Sequence, residues 1–236
     1  MAGLTQAHVK GATHAPLLDL TVPELLARTV GACPERPALI VRQQKIRWSY
    51  AEFAQAVDRL ASGLQGLGLQ KGDRIGIWSP NRFEWVVTQF ATARVGLILV
   101  NINPAYRLAE LEYALNKVGC KALILAPAFK TSDYIGMVQA LAPELERATP
   151  GALQAAKLPQ LRIVVRLGND KTPGMLNYAD IANAPADAAK LDSVPLAPDD
   201  AINIQFTSGT TGLPKGATLT HRNIVNNGWF VGECMK

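Results

Sequence analysis

The fold class is decided by residues 74–101, which read RIGIWSPNRFEWVVTQFATARVGLILVN. An apolar run at Arg74–Trp78 predicts a strand, Pro80–Val95 predicts a helix, and Leu97–Asn101 predicts a second strand. Two neighbouring parallel strands need a crossover connection of a dozen or more residues, and that connection is usually a helix. The stretch therefore predicts a strand–helix–strand unit of a parallel sheet.

The same alternation extends along the chain in both directions. Before this unit, the sequence predicts a helix at Val22–Val30, a hairpin from Ala38–Arg42 and Lys45–Trp48, and a helix that Ser49 and Glu52 begin as a capping box. After it come further predicted helices and strands, in the order Leu108–Val118 (helix), Lys121–Ala126 (strand), Ser132–Leu145 (helix), Leu161–Leu167 (strand) and Ala201–Phe206 (strand). This order predicts an α/β fold with a mainly parallel sheet and helices on both faces.

Composition narrows the class of protein. The chain has 236 residues, of which 48% are hydrophobic and 18% are charged, which is typical of a globular protein and excludes disordered and fibrous classes. No apolar run approaches the roughly 18 residues of a transmembrane helix. The 24 Lys and Arg residues are interspersed with 19 Asp and Glu residues, a pattern that disfavours nucleic acid as a partner. Cys33, Cys120 and Cys234 lie far apart, so reduced thiols and a cytoplasmic location are predicted.

One loop combines hydroxyl groups, glycines and a lysine directly after the predicted strand Ala201–Phe206. Its residues are Thr207, Ser208, Gly209, Thr210, Thr211, Gly212, Leu213, Pro214 and Lys215. Glycine lets a ligand approach the backbone closely, successive amides can form an anion-binding nest, and the lysine adds a mobile positive charge. In open α/β sheets ligands bind beyond the carboxyl ends of the strands. The loop is therefore a candidate polyphosphate site.

The loop differs from two better-known phosphate motifs. Leu213 and Pro214 separate Gly212 from Lys215, so it is not a Walker A loop, and it lacks the dinucleotide fingerprint. A short strand is predicted at Ala217–Leu219, and Thr220 is predicted to cap a helix from His221, so the loop joins two antiparallel strands. A ligand-free hairpin turn is the alternative, although a turn of two or four residues would serve that purpose.

Four other features have a structural interpretation beside a functional one. His221 is close enough in sequence to touch a phosphate, but is interpreted as a cap-region residue. Ser79 lacks a nucleophile elbow and a partner histidine, and is interpreted as a helix cap ahead of the next helix. Cys120 is predicted to be a buried, inert thiol, and Asn103-Pro104 a rigid turn. No residue is predicted to ligate a metal.

Several segments resemble one enzyme superfamily. Residues Thr207 to Lys215 resemble the phosphate-loop signature of the adenylate-forming enzymes, which include acyl-CoA synthetases, luciferases and peptide-synthetase adenylation domains. Three further segments, covering residues 72–85, 96–111 and 223–227, are similar to fatty acyl-CoA synthetases, and the last is particularly similar to medium-chain acyl-CoA ligases. The resemblance covers about residues 20–236.

The resemblance implies a two-step reaction. A carboxylic acid, expected to be a fatty acid, attacks the α-phosphate of ATP to give an acyl-adenylate and pyrophosphate, and coenzyme A then displaces AMP. Mg²⁺ accompanies the ATP, and Thr211 and Lys215 are the expected catalytic residues. An adenylating ligase for aryl or amino acids, or an inactive nucleotide-binding module, are the alternatives.

The resemblance also predicts the domain organisation. Residues 1–19 are predicted to be a leader, and 20–236 an incomplete N-terminal AMP-binding domain of an adenylate-forming enzyme, with the C-terminal domain absent. In the family the acyl pocket, the adenine site, the magnesium-binding glutamate and a catalytic lysine lie after the loop. We therefore expect the isolated chain not to complete adenylation.

Overall fold

The computed structural model describes residues 16–207 and 213–235. Its strands and helices follow one another in this order: α1 (Val22–Ala32), β1 (Pro37–Val41), β2 (Ile46–Ser49), α2 (Tyr50–Gly66), β3 (Arg74–Trp78), α3 (Phe83–Arg94), β4 (Ile98–Asn101), α4 (Leu108–Val118), β5 (Cys120–Leu125), β6 (Ala128–Phe129), β7 (Ser132–Asp133), α5 (Tyr134–Leu141), β8 (Ile163–Arg166), β9 (Leu176–Asn177), α6 (Tyr178–Ala182), α7 (Ala188–Asp192), β10 (Ala201–Thr207), β11 (Lys215–Thr220) and α8 (His221–Cys234).

One seven-stranded sheet forms the centre of the fold. Its strand order is β11-β10-β4-β3-β5-β8-β9, and every neighbouring pair is parallel except β10 and β11, which are antiparallel. Its central strands are almost fully buried, as expected for strands covered on both faces. The predicted mainly parallel α/β sheet is confirmed. The predicted hairpin is also present, as the separate two-stranded sheet of β1 and β2.

Helices cover both faces of this sheet. The chain moves from β3 through α3 to β4 in one direction, and from β4 through α4 to β5 in the other, so right-handed crossovers put α3 and α4 on opposite faces. The apolar face of α2 is buried, and Phe53 packs edge-on against Phe90 of α3 at 5.0 Å between ring centroids. On the other face, Leu115 of α4 lies over Gly76 of β3.

The start of α3 differs from the prediction. The helix begins at Phe83 instead of Pro80, and the Ser79 hydroxyl donates to the Pro80 carbonyl, so the helix-cap interpretation of Ser79 is wrong. The side-chain oxygen of Gln44, from the turn between β1 and β2, accepts a hydrogen bond from the Phe83 amide at 2.8 Å. A distant side chain thus satisfies a free amide of the first helical turn, which local sequence does not reveal.

Two further segments differ from the predicted elements. The helix predicted at Ser132–Leu145 is shorter, because the residue before Pro143 is disfavoured in helical conformation and Pro143 itself begins a short 3-10 turn. The Ala- and Pro-rich segment between residues 183 and 200, where no element is predicted, contains α7, whose Leu191 is fully buried. Arg94 also holds this short helix, through an ion pair with Asp192 and a hydrogen bond to the Leu191 carbonyl.

Candidate functional site

The β10–β11 hairpin presents the candidate loop at the carboxyl edge of the sheet. Strand β10 runs parallel to β4, with Gln205 opposite Asn101, so both strands end at the same edge. Thr207 and Lys215 are paired at the end of the hairpin, which confirms that the loop joins two antiparallel strands. The predicted phosphate-binding residues Ser208, Gly209, Thr210, Thr211 and Gly212 lie outside the described residues.

A threonine and a lysine stand at the two ends of the loop. The Thr207 hydroxyl donates to the Lys215 carbonyl at 3.5 Å, and both side chains are exposed. Leu213 is 66% exposed. Among the residues that the structure describes, no carboxylate forms an ion pair with Lys215. The positive charge of Lys215 is thus available to an anion at the sheet edge.

A chain of hydrogen-bonded side-chain amides, centred on a buried asparagine, fixes the strand that leads into the loop. The Trp85 indole donates to the Asn101 side-chain oxygen at 3.0 Å. The Asn101 amide donates to Asn203 at 3.3 Å, and the Asn203 amide donates to Gln89 at 2.8 Å. Asn203 is fully buried, so these bonds satisfy polar groups that would otherwise be costly. The sequence analysis missed this chain, although a single asparagine inside the apolar run of β10 is the signal that could have suggested it.

The turn at Asn103-Pro104 lies at the same edge and is held by two aromatic side chains. The Trp78 indole donates to the Asn103 carbonyl at 3.1 Å, and the Tyr134 hydroxyl donates to the Pro104 carbonyl at 2.5 Å. The two rings stack at 3.6 Å between centroids. The Asn103 side chain also accepts a hydrogen bond from the Ala105 amide. The predicted turn is present, and these hydrogen bonds restrain it.

His221 lies at the other end of β11 from Lys215 and takes no part in the sheet-edge site. It is fully buried, and its Nδ1 accepts a hydrogen bond from the Val22 amide at 3.1 Å. Burial lowers the pKa of His221 to about 4, against the opposing effect of the Asp200 and Glu24 carboxylates. The helix cap itself is Thr220, as predicted. His221 therefore joins α1 to the base of the hairpin.

The neighbouring part of α8 holds the chain just before α1. The Asn226 side chain accepts a hydrogen bond from the Leu18 amide at 2.7 Å and donates to the Leu18 carbonyl at 2.9 Å. Arg222 pairs with Asp19 at 2.8 Å. Of the predicted leader, residues 16–19 are described, and these contacts attach them to the last helix.

The other candidate groups are structural. Burial raises the pKa of Cys120 to about 12, so its thiol stays protonated and inert, as predicted. The three cysteines form no disulfide. Within residues 16–207 and 213–235, no cluster of three or more His, Cys, Asp or Glu side chains is arranged to hold a metal ion. In the same ranges, no helix has the length and apolar character needed to span a bilayer.

Comparisons with known proteins agree on one family. The sequence model described as "AMP-binding enzyme" matches residues 26–236. The human medium-chain acyl-CoA ligase ACSF2, mitochondrial, is 46% identical over 235 residues, which are 98% of this chain and 38% of the human protein. The putative acyl-CoA synthetase YngI of Bacillus subtilis (strain 168) is 39% identical over 94% of this chain and 41% of its own length.

A solved structure supports the same fold. The long-chain-fatty-acid-CoA ligase FadD1 from Archaeoglobus fulgidus superposes with a TM-score of 0.74 at 24% identity, covering 96% of this chain and 42% of that chain. This chain thus spans about two fifths of the length of the proteins it matches. What these proteins share with it is the part that ends with the loop and the helix after it.

Proposed function

This chain belongs to the AMP-binding enzyme family, and on that premise we propose that the complete protein activates a fatty acid as an acyl-adenylate and transfers it to coenzyme A. The observation that carries the proposal is the Thr207–Lys215 hairpin end at the carboxyl edge of the sheet, where Lys215 is exposed beside a hydroxyl-rich loop and has no ion pair among the described residues. The relatives named as acyl-CoA ligases or synthetases support the substrate class.

In this proposal the loop binds the phosphates of ATP. The β- and γ-phosphates would accept hydrogen bonds from Lys215 and from the hydroxyls and amides of residues 207–212. Thr211 and Lys215 are the proposed catalytic residues. Their donors would neutralise the charge that develops on the departing pyrophosphate and hold it in line with the attacking carboxylate. Mg²⁺ would arrive as the counter-ion of ATP. Coenzyme A would then attack the acyl carbonyl and release AMP.

We further propose that residues 20–236 form part of an N-terminal AMP-binding domain and that residues 1–19 precede it. The family match, which begins at residue 26, supports a domain that starts after the first residues, and the 38% and 41% of the relatives' lengths that the chain covers support an incomplete domain. The residues that would contact adenine, the acyl chain and coenzyme A then belong to the part of the relatives that the chain does not match. We expect purified residues 1–236 to give no carboxylate-dependent exchange of pyrophosphate into ATP, and robust exchange would contradict this division.

The cytoplasm is the proposed compartment, supported by three cysteines without disulfides. The two relatives differ in the location that their names give. The human protein is named as mitochondrial, and the name of the B. subtilis protein gives no location. Subcellular fractionation of the native protein decides between the two: recovery with a mitochondrial marker would contradict the cytoplasmic proposal.

The substrate class is tested by carboxylate-dependent ATP–pyrophosphate exchange with the complete protein. A panel of short, medium and long fatty acids, an aryl acid and an amino acid separates the proposal from the other adenylating ligases. Exchange stimulated by fatty acids, followed by thioester formation when coenzyme A is added, is the expected result. Exchange with only the aryl or amino acid, or with none of the panel, would contradict the proposal.

A further inference from the structure

Helix α4 contacts both arms of the β10–β11 hairpin at the end that carries the loop. The Tyr113 hydroxyl donates to the Pro214 carbonyl at 3.1 Å. The ring of the same tyrosine packs on Phe206, with 6.4 Å between centroids and 60° between the planes. Phe206 precedes Thr207 at the end of β10, and Pro214 precedes Lys215 at the start of β11. One side chain therefore touches both flanks of the loop.

A glycine stands where the hairpin passes the end of α4. Gly216 is the partner of Phe206 across the hairpin. A Cβ at Gly216 would lie 3.1 Å from Ile204 Cγ2 of β10, which is a tight contact, and 3.8 Å from Val118 Cγ1 of α4, which is an ordinary van der Waals contact. The end of α4 therefore lies directly beside strand β11 next to Lys215.

We propose that Tyr113 is a positioning residue for Lys215. The carbonyl that Tyr113 holds belongs to the peptide bond between Pro214 and Lys215, and the proline ring fixes the backbone φ angle on the other side of that carbonyl. The hydrogen bond and the proline ring together restrain this peptide plane. The plane in turn sets the direction in which the flexible Lys215 side chain leaves the strand. Phosphate binding by Lys215 is part of the proposed function, and this inference rests on it.

The tyrosine lies far from the loop in sequence, on a helix whose buried face is formed by Leu111, Ala114 and Leu115. Tyr113 itself is half-buried, at the side of α4 that faces the hairpin. If Tyr113 served only to stabilise the core, its ring would supply that stability and its hydroxyl would not be needed. The hydroxyl makes no contact with the core among its described bonds, and its one bond goes to Pro214.

The test is a double-mutant cycle in the complete protein, measured as the KM for ATP and the kcat of pyrophosphate exchange. Tyr113→Phe keeps the ring on Phe206 and removes the hydrogen bond to Pro214. We expect the KM for ATP to rise about three- to tenfold, the range for one modest hydrogen bond. In the Lys215→Ala background, the same Tyr113→Phe change should have no further effect, because the residue that it positions is gone.

Tyr50→Phe is the matched control, since among the described contacts the Tyr50 hydroxyl has no hydrogen-bond partner and Tyr50 begins α2 away from the loop. Thermal unfolding of each variant measures any general loss of stability. An unchanged KM in Tyr113→Phe, or an effect of the same size with and without Lys215, would overturn the inference and leave Tyr113 a structural residue. A Lys215→Ala protein with unaltered exchange would instead overturn the proposed function of the loop.

Discussion

The two ends of the β10–β11 hairpin are held in different ways. At the base, His221 is fully buried, its amide donates to the Asp200 carbonyl, and Lys71 pairs with the Asp200 carboxylate at 2.7 Å. At the loop end, Thr207 and Lys215 are exposed, and the Thr207 hydroxyl donates a long hydrogen bond to the Lys215 carbonyl. Under the proposed function, stability and ligand binding then belong to opposite ends of one hairpin.

Lys215→Ala tests the loop end of the hairpin, and we expect it to have the largest effect on the rate of adenylate formation. Removing a cation that stabilises charge in the transition state should slow adenylate formation in the complete protein by about 100-fold. Because the side chain is exposed, the free energy of unfolding should change by less than about 0.5 kcal/mol. Pyrophosphate exchange and urea unfolding measure the two quantities. A variant that unfolds easily but exchanges normally would reverse the assignment of the two ends.

His221→Phe examines the base and should show the opposite pattern. The Val22 amide would lose its acceptor in a buried site, and the free energy of unfolding should fall by about 2 kcal/mol. The control is His221→Asn, whose side-chain oxygen can replace Nδ1 as the acceptor and should recover part of the loss. The KM for ATP should stay the same in both variants. A raised KM at unchanged stability would mean that the base also takes part in binding.

Thr211→Ala probes the part of the loop that is outside the described residues. As the loss of one hydroxyl donor to phosphate, it should slow adenylate formation by about tenfold in the complete protein. Single-turnover formation of the adenylate is the measurement, and Thr218→Ala on the exposed part of β11 is the control. Equal rates in Thr211→Ala and Thr218→Ala would remove Thr211 from the proposed site.

The pH dependence of unfolding sharpens the account of the base. The folded protein holds His221 at a pKa of about 4, against 6.5 for the ordinary side chain, so the unfolded chain binds the extra proton between these values. The contribution of His221 to stability is complete above about pH 6.5 and decreases as the pH falls towards 4. The difference in unfolding free energy between the wild type and His221→Asn should therefore narrow from pH 7.5 to pH 4.5. A constant difference would show that His221 does not change protonation on unfolding.

The sequence predicted those features that depend on neighbouring residues. The strand Arg74–Trp78 and the helix Leu108–Val118 match the structure residue for residue, because their apolar periodicity and the Gly119 cap are local signals. The loop was placed at the correct edge of the sheet because a motif and a strand adjoin in the chain. The proposed class of chemistry rests on the family resemblance as well as on these two facts.

The contacts that hold the site in place could not be predicted in this way. The Tyr113 hydroxyl reaches Pro214 across 101 residues, Asn101 reaches Asn203 across 102, and Gln44 reaches Phe83 across 39. Each bond depends on the order of the strands in the sheet or on how a helix packs against another part of the chain. Neither arrangement can be read from a short stretch of one sequence. Single polar residues within apolar elements, such as Asn203, are the signal that remains in the sequence.

The central claim is that the loop serves the attack of a carboxylate on the α-phosphate of ATP. The most direct test supplies the complete protein with ATP, coenzyme A and a fatty acid labelled with ¹⁸O in its carboxyl group. The mass of the nucleotide product is then measured by mass spectrometry. An acyl-adenylate carries one carboxylate oxygen on its phosphate, so AMP with one ¹⁸O atom is the predicted product. Formation of ADP, with the label in inorganic phosphate, would contradict the account.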